Sequence, residues 1–424
     1  MLYFAAGFVK FMSVRQRYRW AALGHELAAF DALIAARRYD EALAFFREQL
    51  DKPTLFGLET SLRRAELLLK FFPDGEDAPP RLNEPADQAF VLYALALTLN
   101  LTGGYPGRAV PLYQRHDAIC EQTGDDLGLS QSLGHHAKAL RQAGRFRASE
   151  AVARRGLQVI RARGDYLREA VNLYWLGMGL AQRGAAAEAE TALQRSLRIF
   201  RARFATQAEG VVNAFLAQRA LWLGEPSEAL QCANRAWEIG AALEADDARA
   251  DLHGAVKINT AAARMQGEAL VMLGDADAAR ERLDYALRRA REIEFVEEEL
   301  PALRVLALWA WRENRLDEAR ERLARTWQLA ERGPFKLYDA DSYNLLAQIE
   351  RAAGNREAAA LAAACAFRLS WCDGPPFAYQ RGLEDAQTHF QALGVAAPNL
   401  AGFNDARHEP LPEVEINPPD EFGS

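Results

Sequence analysis

The chain has 424 residues, half of them apolar and 26% charged, with a formal net charge of −7. That is the composition of a folded protein, and its acidic balance argues against a broad nucleic-acid footprint, which needs basic surface to neutralise phosphates. Four cysteines, Cys120, Cys232, Cys365 and Cys372, show no CxxC or other metal-ligand spacing, which excludes a disulfide framework and a zinc site and fits a reducing cytoplasm.

In chain order, residues 1–24 are expected to form an apolar helix or cap. Phe4, Phe8, Phe11 and Met12 recur at helical spacing, while Lys10 interrupts a run too short for a membrane span. From there a repeat takes over. Glycine recurs every forty residues at Gly104, Gly144, Gly184 and Gly224 and, after a fifty-residue step, at Gly274 and Gly354, with Asn314 in the missing place. Five residues after these positions stand Ala109, Ser149, Ala189, Ala229, Ala279, Ala319 and Ala359. A fixed period of this length predicts an array of supersecondary units, each packing on its neighbours.

Each unit reads as helix, turn, helix. Leu173, Leu176, Gly177 and Leu180 recur at helical spacing, Gly184 breaks the run, and Ala189, Leu193, Leu197 and Ile199 begin a second amphipathic stretch. The glycine is expected to cap the first helix in a left-handed conformation. The small residue five positions on lets the second helix approach closely.

Two irregularities interrupt the array. A degenerate unit is expected near residues 51–85, where a helical stretch, Leu55–Phe72, precedes a loop rich in turn formers, and an insertion falls near 243–254. Gly374, Pro375 and Pro376 stop the last unit, and residues 373–395 are expected to supply a capping helix. Residues 396–424, with five prolines and an acidic excess, are expected to be disordered, with Pro410–Ile416 as an alternative internal ligand for the protein's own groove.

The strings Leu176-Gly177 with Gly184 and Ala189, Gly267 with Gly274, Ala279 and Ala286, Tyr39-Asp40-Glu41-Ala42, and Leu316-Asp317-Glu318-Ala319 resemble the tetratricopeptide repeat signature. The resemblance covers residues 25–372 in about eight units. It departs from the consensus in lacking the first-helix tryptophan and the proline between units, and in its forty-residue period. The long period is similar to that of bacterial regulators, including the sensor regions of signal-transduction NTPases. The segment from Trp371 to Pro376 resembles the closing segments of such regions. The implied fold is all-α, a right-handed solenoid of antiparallel helix pairs.

The resemblance also implies a concave groove lined by first helices, suited to a protein or peptide ligand. The positions implied to face inward are Gln131, Lys138, Arg141, Tyr174, Met178, Gln218, Arg264, Glu268, Arg304, Arg312, Asn344 and Gln348. Reversing Arg264 and Arg304 to glutamate is expected to abolish capture of a partner while leaving the melting temperature almost unchanged. The second helices carry arginines, among them Arg147, Arg154, Arg155, Arg161, Arg195, Arg198 and Arg201, read as a solvated face paired with glutamates.

Catalysis is not expected. Gly103-Gly-Tyr-Pro-Gly107 lacks the Lys-Ser/Thr of a phosphate loop, so any NTPase partner lies on another chain. Adjacent histidines His135 and His136 diverge by about 100° on a helix. His116 and Cys120 lie one turn apart with no further ligands evident, so no metal or other cofactor is expected. The reading is a noncatalytic scaffold or sensor binding a protein or peptide, with an effector-sensing regulatory module of a signalling NTPase as the alternative.

Overall fold

The computed structural model describes residues 23–419 except 57–60, 102–104, 247–251, 332 and 334. The expected N-terminal helix, apart from its last two residues, and Gly104 lie outside the described residues, as does the middle of the expected insertion.

Among the described residues every regular element is helical. The array opens with α1 (Gly24–Ala35), α2 (Tyr39–Phe45), α3 (Asp51–Phe56) and α4 (Ser61–Leu69), α2 running into α3 through a π-helical turn at Phe46–Leu50. Regular pairs follow: α5 (Pro85–Leu101) with α6 (Pro106–Thr123), α7 (Asp126–Gln142) with α8 (Phe146–Ala162), and α9 (Tyr166–Gln182) with α10 (Ala186–Ala202). Next come α11 (Thr206–Leu223) with α12 (Pro226–Ala245), α13 (Leu252–Leu273) with α14 (Ala276–Glu292), and α15 (Val296–Arg312) with α16 (Leu316–Ala330). The last pair, α17 (Lys336–Ala352) with α18 (Arg356–Trp371), is followed by α19 (Gln380–Leu393). Consecutive helices pack on one another throughout, the arrangement of an α-solenoid.

The cap geometry explains the repeat and halves it. Left-handed backbone recurs in twenty-residue steps, at Gly124, Gly144, Gly164, Gly184, Phe204 and Gly224, then at Gly274, Glu294, Asn314 and Gly354. First and second helices alike thus end this way, with α12 and α16 as exceptions, since Asp246 follows the one at φ −79° and Glu331 the other at φ −58°. The forty-residue series in the sequence follows the first-helix caps; the second-helix caps are glycine at Gly124 and Gly164 but Phe204 and Glu294 farther on, which breaks their series. Asn314, at φ 59°, takes the conformation that its place in the series predicts.

Small residues set the crossing within each pair. Ala109, Ala189, Ala229, Ala319 and Ala359 are fully buried, and Ser149 donates to the carbonyl of Ala137 at 2.7 Å. A Cβ on Gly177 would lie 2.9 Å from Leu193 and 3.2 Å from the carbonyl of Ala189. The same contact recurs at Gly267, against Leu283 and the carbonyl of Ala279.

The tail is a correction. Residues 396–419, expected to be disordered, run without regular helix against the array. Trp371 donates to the carbonyl of Ala401 at 2.9 Å, and Phe403 packs on Phe377 with ring centroids 4.8 Å apart. Farther on, Arg147 donates to the carbonyl of Glu409, Gln158 to Glu413, Arg161 to Glu415 and Ile416, and Arg195 to Pro418. Val414 and Ile416 pack against the core of α9 and α10. These donors lie on the second helices α8 and α10, so the tail does not occupy the concave face. Composition alone misjudged it because its partners are guanidiniums elsewhere in the chain, which satisfy its carbonyls.

Candidate functional site: an enclosed cavity

The first helices face inward, and the superhelix turns tightly enough for late helices to meet early ones. Lys138 on α7 pairs with Glu297 on α15 at 3.0 Å, and Gln142 donates to the same carboxylate. Arg147 donates its backbone N–H to Asp373 at 2.9 Å. A Cβ on Gly144 would meet Lys336 at 3.0 Å, and one on Gly184 would meet Gln380 at the same distance. These contacts bridge the concave groove and leave a partly open cavity of about 290 Å³, walled by α7, α9, α11, α13, α15 and α17.

Its walls differ in character. On α9 and α11, Tyr174, Trp175 and Phe215 form one aromatic cluster with centroids 4.8 to 5.3 Å apart, and Trp222 and Phe295 add to the lining. Elsewhere in the lining, α13, α15 and α17 carry an ionic network. Arg264 donates to Glu298 at 2.8 Å and to Glu268 at 3.1 Å, and Arg304 donates to Glu268 at 2.5 Å. Tyr379 donates to Asp341 at 2.9 Å.

Burial governs the protonation of this lining. It would push the Glu268 carboxyl up, but Arg304 and Arg264 outweigh it and hold the group down at about 2. Burial raises Glu298 and Asp341 above the usual carboxylate range despite their arginine neighbours. His135 is held down to about 4 by desolvation and by Lys138, so it is neutral at pH 7.

Of the twelve positions expected to face inward, Lys138, Arg141, Tyr174, Met178, Gln218, Arg264, Glu268 and Arg304 line the cavity. The other four do not. Asn344 is buried and donates to the carbonyl of Gly382 at 3.0 Å, and Arg312 donates to the carbonyl of Val271 at 2.6 Å. Gln131 and Gln348 are half-buried outside it. The closure brings the C-terminal end of α7 against the N-terminal ends of α15 and α17 and the end of α9 against the start of α19, and these four residues stand elsewhere on their helices.

The expectation that reversing Arg264 and Arg304 is structurally silent is also overturned. Arg264 is buried and Arg304 half-buried, both in ion pairs, so two added glutamates would stand beside Glu268 and Glu298 as uncompensated charge. Among the residues that the sequence reading missed are Trp175, Phe215, Phe295, Glu297, Glu298, Tyr338, Asp341 and Tyr379. One signal pointed to them: Glu297, Glu298 and Glu299 are three consecutive carboxylates, all buried, at the start of a first helix.

No metal-holding group of three or more His, Cys, Asp or Glu residues occurs among the described residues. His116 and Cys120 do meet, at 3.4 Å, but in a buried network centred on Asp117. The two oxygens of Asp117 lie 2.9 Å from His116 Nδ1 and 2.7 Å from His136 Nδ1, and Ser132 donates to the first. Burial drives the Cys120 thiol up to about 12, the opposite of an activated nucleophile. No described helix is long and apolar enough to cross a membrane.

Fold and cavity together define a tetratricopeptide-type helical solenoid with a partly open inner cavity. No protein-family model matches the chain, and no curated protein matches it. Among solved structures, the chain is similar to a Rap protein complexed with competence and sporulation factor, at 14% identity and a TM-score of 0.55, over 88% of this chain and 99% of that one. It is also similar to a Rap conjugation gene regulator of a plasmid in complex with a Phr peptide, at 13% identity and a TM-score of 0.52, over 88% and 96% of the two chains.

Proposed function

We propose that this protein is a noncatalytic sensor or scaffold that binds a short peptide in the cavity between its first helices. The observation that carries the reading is the mixed lining of the cavity, aromatic on some helices and ionic on others. An aromatic face on α9 and α11 buries apolar side chains, and the polar face on α13, α15 and α17 offers donors and acceptors to a backbone. Of the two similar structures, the Rap conjugation gene regulator is in complex with a Phr peptide, which supports the same ligand class here.

The test is retention of synthetic pentapeptides from a mixed pool after rapid filtration, read by mass spectrometry. The parent is compared with Ala261→Phe, which places a ring in the cavity from a lining position. Retention by the parent and its loss in the filled variant is the expected result. Equal retention by both would remove the cavity from the reading.

A second reading makes the chain the effector-sensing module of a signalling NTPase. The cavity's modest volume suits a small effector, and in this reading the catalytic part is on another chain or absent. Retention of a small metabolite from a native extract, with no peptide retained, would favour it.

A further inference from the structure

The charges lining the cavity do not all cancel locally. Lys138 is matched by Glu297, Arg264 and Arg304 together are matched by Glu268 and Glu298, Asp341 accepts from Tyr379, and Lys257 lies over the Phe295 ring. Arg141 stands outside these sets. It lines the cavity from the last turn of α7, is 9% exposed, and donates from Nη1 to the amide oxygen of Gln182 on α9 at 2.6 Å. Among the described residues its Nε, fully buried, has no hydrogen-bond partner.

A guanidinium taken out of water needs an anion and a full set of acceptors, and an amide oxygen supplies neither charge nor the second acceptor of a bidentate pair. Desolvation accordingly pushes the Arg141 pKa down from its ordinary value, with Tyr338 and Glu297 only opposing the effect. The side chain is not shielded for a packing reason either, since it opens on the same space as Tyr174, Met178 and Tyr338.

We propose that Arg141 anchors a carboxylate of the cavity's ligand, so that the cavity selects peptides carrying a free carboxylate, either terminal or on an acidic side chain. The inference rests on the peptide-binding reading and names the chemistry that reading leaves open. The ligand carboxylate would take the vacant Nε position and supply the missing negative charge, leaving the remainder of the peptide to the aromatic wall.

Three pentapeptide pools test it: one with free C-termini and no acidic residues, one amidated with a single Asp or Glu, and one amidated without acidic residues. The parent should retain the first or the second and discriminate against the third by at least about tenfold, as expected for a lost charge-assisted hydrogen bond. Whichever of the first two is retained identifies the source of the carboxylate. Arg141→Gln should erase the discrimination and Arg141→Lys should keep part of it.

Retention of the neutral amidated pool as strongly as the others, or unchanged discrimination in Arg141→Gln, would overturn the anchor while leaving peptide binding intact. Retention of none of the pools by the parent would overturn both. A further arm guards against a merely structural role. Arg141→Met removes an uncompensated buried charge and should melt at or above the parent's temperature. A clear fall, or failure to fold, would mean that Arg141 is a structural pillar.

Discussion

Glu268 is the residue on which the ionic wall of the cavity depends. It is 4% exposed and joins two guanidiniums, Arg264 at 3.1 Å and Arg304 at 2.5 Å. Its replacement in Glu268→Gln keeps the shape but leaves Arg304 without its carboxylate and Arg264 with Glu298 alone. Breaking a buried pair from one side costs about 3–5 kcal/mol. The pKa gives the same scale independently: a fall from 4.5 to about 2 corresponds to roughly 3 kcal/mol at 1.36 kcal/mol per unit.

At about 2.1 cal/mol/K per residue, 424 residues unfolding together carry an entropy near 0.9 kcal/mol/K, so the variant should melt about 3–5 °C below the parent at pH 7. The sign with pH follows from a depressed carboxyl. The stabilisation is complete above the unfolded value of 4.5 and is lost as pH falls through about 2, so at pH 3 the difference should shrink to less than half. Calorimetric scans of both proteins at pH 7 and pH 3 make the measurement. Melting within 1 °C of the parent at pH 7, or an undiminished difference at pH 3, would refute the reasoning.

Asp117→Asn should lower the melting temperature by a few degrees at pH 7, because burial of Asp117 is outweighed by hydrogen bonds from His116, His136 and Ser132 that hold its carboxyl down at about 2. The deficit should fade between pH 4 and pH 2, and a pH-independent deficit would argue against a charged Asp117. Gly177→Ala forces a Cβ to 2.9 Å from Leu193 and 3.2 Å from the Ala189 carbonyl, and should cost about 1–3 kcal/mol in urea titrations, where no loss would show that α9 and α10 can separate. Deleting residues 396–424 should expose Val414's and Ile416's contacts on α9 and α10, lower the melting temperature, and leave peptide retention unchanged, since the tail lies on second helices. A rise in retention would instead place the tail in the cavity.

The helix pairs were legible because each local requirement left a residue behind: a glycine where backbone turns left-handed, an alanine where helices cross. The halved period was only partly legible: Gly124 and Gly164 mark it, but Phe204 and Glu294 take the same backbone without being glycine. Phe204 also exposes 91% of its surface, so neither burial nor residue type marks its place. The inward residues were found where counting back from a cap along one helix suffices, as for Arg141, Tyr174 and Glu268. Counting failed where closure decides. Nothing in the segment around Glu297 says that it meets Lys138, 159 residues earlier in the chain. The tail posed the same problem, because Arg147 and Glu409 are 262 residues apart.

That closure has a consequence for what the architecture tolerates. Open arrays of this kind gain and lose units freely, since each touches only its neighbours. Here Lys138 must meet Glu297 and Gly144 must meet Lys336, contacts that a fixed number of units brings into register. Excising or duplicating one helix pair between α9 and α14 would carry those partners past one another and open the cavity. The chain has thereby exchanged modularity for an interior, and its length has become a property of its binding site.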